Sequence, residues 1–138
     1  MANLPTEEVF SMPHKDRADG TVTATLPLSH AGKIMEDFSM TFKGGRVVDF
    51  KAKKNEDVLK GILDTDEGAR HLGEVALVPN SSPIAQSKMM FYNTLFDENA
   101  ASHVALGRAY RSTMKGGEQM TAEQFSVAGG NDSLTHID

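Results

Sequence analysis

The chain contains no cysteine. Disulfides and thiolate metal sites are therefore excluded, and any metal must be held by histidine, carboxylate or tyrosine oxygen. Long apolar runs are missing as well. Nothing approaches the ~20 consecutive apolar residues of a membrane helix, and no signal peptide is legible ahead of the first motif. Basic residues are outnumbered, 14 against 19 acids for a net charge of -5. They form no stripe, so neither nucleic acid nor membrane is an expected partner. The Gly-rich phosphate loops, the Gly-x-Ser-x-Gly elbow and the His-Glu-x-x-His zinc motif are all absent. No internal repeat, low-complexity tract or heptad is found either.

What remains is ordinary globular composition, 39% apolar and 24% charged over 138 residues. A chain of this length reads as one domain that buries roughly two thirds of its unfolded surface. A cytoplasmic protein is the expectation.

The residues predict an α+β fold, with an antiparallel or mixed sheet, a hairpin over 33–53 and a few short helices. Thr6-Glu7-Glu8 fits either the first turn of a helix or a short extended piece that turns at Pro13. His14 to Gly20 is a charged loop. Thr21 to Leu26 alternates and is β-branched, and Pro27 ends it. Lys33 to Phe42 sets Ile34, Phe38, Met40 and Phe42 on one face. After Gly44-Gly45, a pair suited to a primed turn, Arg46 to Lys53 returns with Val48, Phe50 and Ala52 on one face. Asn55 reads as the cap of a helix whose buried stripe is Val58, Leu59, Ile62 and Leu63. A second helical turn carries Ala69 and Leu72, with Gly73 as its left-handed stop. Val75 to Val78 is a short buried strand, and Ile84 to Met90 is compatible with a helix. Phe91 to Phe96 is strand-like, Asp97 to Ser102 is a turn, and Ser112 to Gln119 is a flexible Gly-rich connection. A turn and a strand finish the chain. His103 and Tyr110, seven apart, share a face of a helix but not of a strand, and Gly107 weighs against a helix.

Chemistry concentrates in four places. Thr94 to His103 brings two carboxylates, Asp97 and Glu98, and an imidazole between apolar flanks, with Tyr110 further on. Acids in such surroundings are costly unless something positive sits beside them. Glu74 opens an apolar strand, where the bland account is simple exposure at the strand's end. His136 and Asp138 share one face of a strand. Glu7-Glu8 lies near the start. These pieces are expected to converge on a divalent metal centre, although a lone histidine beside apolar residues is more often a hydrogen-bonded core residue.

Three stretches carry a resemblance: Asn3-Leu-Pro-Thr-Glu-Glu-Val-Phe10, Asp66-Glu-Gly-Ala-Arg-His-Leu-Gly-Glu-Val-Ala-Leu-Val78 and Thr94-Leu-Phe-Asp-Glu-Asn-Ala-Ala-Ser-His103. With Ala105-Leu-Gly-Arg-Ala-Tyr110 and Gly130-Asn-Asp-Ser-Leu-Thr-His-Ile-Asp138, they resemble the thermophilic metalloaminopeptidase family over nearly the whole chain. The resemblance implies two divalent metal ions, zinc, cobalt or manganese, held by Glu8, Glu74, His103, Tyr110, His136 and Asp138. It implies hydrolysis of N-terminal residues from peptides, with water activated between paired metals. Glu7 and Glu98 are the free carboxylates left to move the proton, and the sequence does not choose between them. Family members are much longer dimeric enzymes with an α/β domain ahead of the first motif. The chain is therefore expected to be the metal-binding C-terminal portion of such an enzyme, a homodimer at full length. The competing readings are a non-catalytic metal-binding or oligomerisation module, and a binding domain whose acids and histidines are unrelated surface groups.

Overall fold

The computed structural model describes residues 7–138. The fold is α+β, with two antiparallel sheets. In one, β4 (Lys33–Lys43) pairs with β5 (Arg46–Lys54) and also receives β2 (Gly20–Thr23) and β3 (Leu28–His30) along successive parts of its length. The other has the order β1-β6-β7-β8, from Val9–Ser11, Leu72–Leu77, His103–Gly107 and His136–Ile137. An isolated bridge, Arg46 to His71, ties the two together. Helix α1 (Glu56–Leu63) packs Leu59, Ile62 and Leu63 into the shared core with Met35, Met40, Phe42, Val47, Leu72, Leu106 and Ile137. Each such side chain, fully buried, stabilises the fold by about 1.5–3 kcal/mol before entropy is counted. No helix of the described residues is long and apolar enough to cross a membrane.

The hairpin is where it was expected. Gly44 and Gly45 both have positive φ, 55° and 81°, as a primed turn requires. A Cβ on Gly45 would stand 1.9 Å from the Lys15 carbonyl oxygen, so this turn also needs glycine for close approach. The faces of the two strands differ from the simple alternation. Asp37 has φ 49°, which breaks the alternation of β4, so Met35 is buried while Ile34 is only partly so. In β5 the register slips: Thr41 faces Asp49, but Phe42 faces Val47. Val48 is the extra residue of this bulge and is 54% exposed, whereas Val47 is fully buried. A one-residue slip moves side chains to the opposite face.

Several other expectations are corrected. Asn55 stands at the N-cap of α1, but its side chain does not cap. It adopts the left-handed conformation, and its amide donates to the Ile34 carbonyl at 2.6 Å. Gly73 is no helix stop but the second residue of β6, after a 3-10 turn at Gly68–Arg70. Phe91 to Phe96 is not a strand. Tyr92 has φ 54°, and the Asp97 carboxylate accepts from the amides of Phe91 and Asn93, which starts a helical turn, α3 (Thr94–Asp97), instead. Helix α2 is Pro83–Ser87, shorter than the span read as compatible with a helix. The connection over 112–119 carries two 3-10 turns, Arg111–Thr113 and Gly117–Gln119. Helix α4 (Ala122–Val127) was not anticipated, although the Thr121-x-x-Gln124 capping box announces it.

Candidate metal centre

The second sheet places the acids. In β1 and its approach, Glu8 and Phe10 point one way and Val9 the other, by ordinary alternation. In β6 alternation alone would put Glu74 on the same side as Leu72, in the core. It does not, because the pairing with β7 slips between them: Leu72 faces Leu106, and Glu74 faces Ala105. Gly73 is the bulged residue. A Cβ there would meet the Gly107 carbonyl oxygen at 2.2 Å and that of Arg108 at 2.5 Å, so only glycine fits the turnover of faces. Glu74 therefore leaves the core face and joins Ala76, Ala105 and His103 on the opposite one. It is 3% exposed, which overturns the account of a solvated strand end.

His103 opens β7, and strand β7 ends at Gly107, whose φ is 92°. The strand settles the helix-or-strand ambiguity, and the chain turns before reaching Tyr110. That phenol nevertheless returns to the same place. Its ring lies 5.0 Å from the His136 ring and 5.7 Å from Phe10, centroid to centroid. His136 lies on β8 and Asp138 directly follows that strand; their side chains meet as expected, with Ile137 turned to the core.

The donor atoms converge. His103 Nε2 lies 3.3 Å from Glu8 Oε2, 3.6 Å from Glu74 Oε1 and 3.9 Å from Asp138 Oδ1. His136 Nε2 lies 3.3 Å from Asp138 Oδ1. Two groups have donor atoms all within 4.8 Å of one another: Glu8, Glu74 and His103, and Glu74, His136 and Asp138. Glu74 belongs to both. Each imidazole is oriented through its other nitrogen, His103 Nδ1 on the Ala101 carbonyl at 2.9 Å and His136 Nδ1 on the Arg108 carbonyl at 2.7 Å. That arrangement fixes the rings with Nε2 facing the carboxylates, as metal-binding histidines require.

Electrostatics reflect four acids facing two imidazoles. Burial lowers the His103 imidazole, but Glu74, the Ala101 carbonyl, Asp138 and Glu8 outweigh it and push it up to about 9. The same contest at His136, with Asp138, the Arg108 carbonyl and Glu74 against burial, also ends at about 9. Burial, together with Asp138 and Glu8, pushes Glu98 up to about 8. Burial works against Asp138 as well, yet His136, Glu98 and His103 hold it below the usual carboxylate range. Of that pair, Asp138 is the ionised member and Glu98 keeps the proton. Burial and the carboxylates of Glu74, Asp138, Glu98 and Glu8 raise Tyr110. The cluster thus draws positive charge to itself.

Protons do not satisfy it fully. His103 Nε2 and Asp138 Oδ1 are buried with no hydrogen-bond partner among the described residues. Both lie only at ion-pair distance from their neighbours, His103 Nε2 from Glu8 and Asp138 Oδ1 from His136. Hard oxygen and imidazole donors, closely spaced, buried and orphaned at their inner atoms, fit a divalent cation.

The two free carboxylates separate. Glu98 lies with the cluster. Glu7 accepts the Ile84 amide on Oε2 at 3.0 Å, at the first turn of α2, while its own amide donates to Asn99 Oδ1 at 3.0 Å. Sequence reasoning missed Asn99, which is fully buried, and the carbonyls of Ala101 and Arg108. Asn99 stands beside Glu98 in a motif that was singled out, but nothing in the pattern marks its role, and backbone carbonyls leave no sequence signal at all.

A buried sheet face that gathers carboxylates and oriented imidazoles defines a candidate site for divalent cations. A profile of the family described as thermophilic metalloprotease (M29) matches residues 1–138, and the chain belongs to this family. It is 57% identical to aminopeptidase AmpS of Bacillus subtilis over all 138 residues, which are 34% of that protein. It is 55% identical to aminopeptidase 2 of Geobacillus stearothermophilus, covering 99% of this chain and 33% of that one. The solved structure of wild-type AmpT from Thermus thermophilus superposes with a TM-score of 0.90 at 52% identity, again over 99% of this chain and 33% of the other. The chain thus spans about a third of the length of the curated relatives it matches.

Proposed function

We propose that this chain forms the metal-binding part of an aminopeptidase that removes N-terminal residues from peptides. In this reading Glu8, Glu74, His103, Tyr110, His136 and Asp138 hold two divalent cations, zinc, cobalt or manganese. The observation that supports it is Glu74, which among the described residues is the carboxylate common to both donor groups. When bound, such a pair supplies Lewis-acid polarisation of a peptide carbonyl and a water acidic enough to react near neutral pH.

The chain's own residues do the rest. The Ala101 and Arg108 carbonyls keep both imidazoles turned with Nε2 toward the carboxylates. Phe10 and His136 hold the Tyr110 ring from either side. The small side chains of Ala105 and Ala76 stand across the ladder from Glu74 and His103. The excess of carboxylates attracts the α-ammonium that marks a peptide's N-terminus. Glu98, which lies with Asp138 in the cluster, is the carboxyl assigned to pass a proton to the leaving amine. Glu7 is engaged by Ile84 and is not given that role. The working enzyme is a cytoplasmic homodimer at full length, with peptides and no nucleic acid or membrane as partners.

Metal stoichiometry on the 138-residue chain, titrated with zinc and cobalt near neutral pH, tests this reading. About two ions per chain are expected, with the count falling in His136→Ala. Turnover of an aminoacyl substrate then separates the enzyme from a non-catalytic metal-binding module. No tight metal at all would overturn the ligand assignment.

A further inference from the structure

Glu8 is buried, yet it stands next to a sheet edge. The β1 ladder begins at Val9, which faces Leu77, so Glu8 stands one residue ahead of the paired register. Strand β1 is three residues long and sits at the sheet edge. Ends of that kind fray unless something ties them down. Yet Glu8 Oε2 must hold its place 3.3 Å from His103 Nε2.

One tie is the residue before it. Glu7 points away from the cluster and is gripped at both ends. Its amide donates to the fully buried Asn99, which follows Glu98 in the chain, and its carboxylate accepts from Ile84 on α2. One residue thus links Glu8, the turn bearing Glu98 and α2. We infer that Glu7 is a positioning residue: an acceptor brace that sets Glu8 against His103 and fixes its distance to Glu98, with no proton-moving role of its own. This inference rests on the metal-centre reading above. The brace needs a hydrogen-bond acceptor at the Glu7 side-chain tip and does not need its charge.

Acceptor and charge are separable. Glu7→Gln keeps an amide oxygen for the Ile84 amide and loses the charge, whereas Glu7→Ala loses both. Metal affinity, titrated with zinc on the 138-residue chain, is expected to fall about 10–100-fold in Glu7→Ala, as for other outer-shell partners, and to be rescued in Glu7→Gln. In the metal-free chain, amide hydrogen exchange at positions 7 and 84 is expected to quicken in Glu7→Ala and not in Glu7→Gln. A loss in Glu7→Gln as large as in Glu7→Ala would overturn the inference, since charge would then be what matters. Equal and unchanged affinity in both variants would overturn it too. Glu7→Gln alone decides if Glu7→Ala does not fold. If the unmodified chain takes up no metal, the metal-centre reading fails, and the exchange comparison still decides the brace.

Discussion

The two sheets are built by opposite strategies. In the first, β4 and β5 are joined by two glycines, and Lys43 faces Arg46 across the turn. In the second, Val9 pairs with Leu77 and Leu106 with Ile137, so each ladder closes a long loop before it is rewarded. Both sheets contain a bulge, and the bulges do different work. The one at Val48 turns an apolar side chain out to solvent and Val47 inward. The one at Gly73 turns a carboxylate out of the core and into the cluster. A register slip is thus a packing detail in one sheet and the origin of the site in the other.

The largest expected break in this comparison is Glu74→Ala. It removes a donor from both groups, so zinc affinity should fall by more than the about 100-fold that an outer-shell loss costs. Circular dichroism and amide exchange of the 33–53 hairpin should be unchanged. Loss of the whole fold in the presence of metal would show that the two sheets are not separable in this way.

Gly73→Val comes next. Its Cβ has no room between the backbones of Gly107 and Arg108. The cost should reach about 3 kcal/mol in chemical denaturation, the upper end for overpacking, with metal affinity lost together with stability. If only stability moves, the bulge does not aim Glu74.

Within the hairpin, Val47→Ala and Val48→Ala sharpen the contrast. The buried Val47 should cost about 2 kcal/mol. Its exposed neighbour should stay within about 0.5 kcal/mol. Neither should alter metal affinity, and a reversed order would mean that the bulge is misplaced.

The smallest effect concerns pH. Burial tends to raise Asp66, but hydrogen bonds from the Leu134 amide, the Ser133 hydroxyl and the Ala69 amide outweigh it and hold the carboxyl below its ordinary value. A carboxyl depressed in the folded state contributes stability above its unfolded value. That contribution is lost as pH falls through the lower folded value. Asp66 clamps the segment leading into β8, so acid should loosen the His136–Asp138 end before the hairpin. Amide exchange followed below about pH 4 would show this. It should vanish in Asp66→Asn, which has no charge to lose.

Local chemistry announced the hairpin, the α1 stripe and the His136–Asp138 pair, because each is decided within a few residues by alternation, helical period or glycine geometry. Phe91 to Phe96 misled for the same reason: its aromatic content suits a strand, but one carboxylate, Asp97, captures the local amides and starts a helical turn. Glu74 was legible as a candidate only through its motif. Its sequence neighbours describe an exposed strand end, and the bulge that buries it depends on a backbone 30 residues downstream.

By itself, then, the chain's sequence determined which side chains are available, that no thiolate would take part, and that hard donors recur in segments resembling a metallopeptidase. Tertiary structure alone decided which donors meet. It turned Glu74 through Gly73, brought Tyr110 back beside His136, and sent Glu7 to Ile84 while Glu98 stayed with Asp138. The reason is physical. Side-chain identity and short-range periodicity are written residue by residue, but convergence on one point depends on registers between strands far apart in the chain, where a single slipped residue reverses every face.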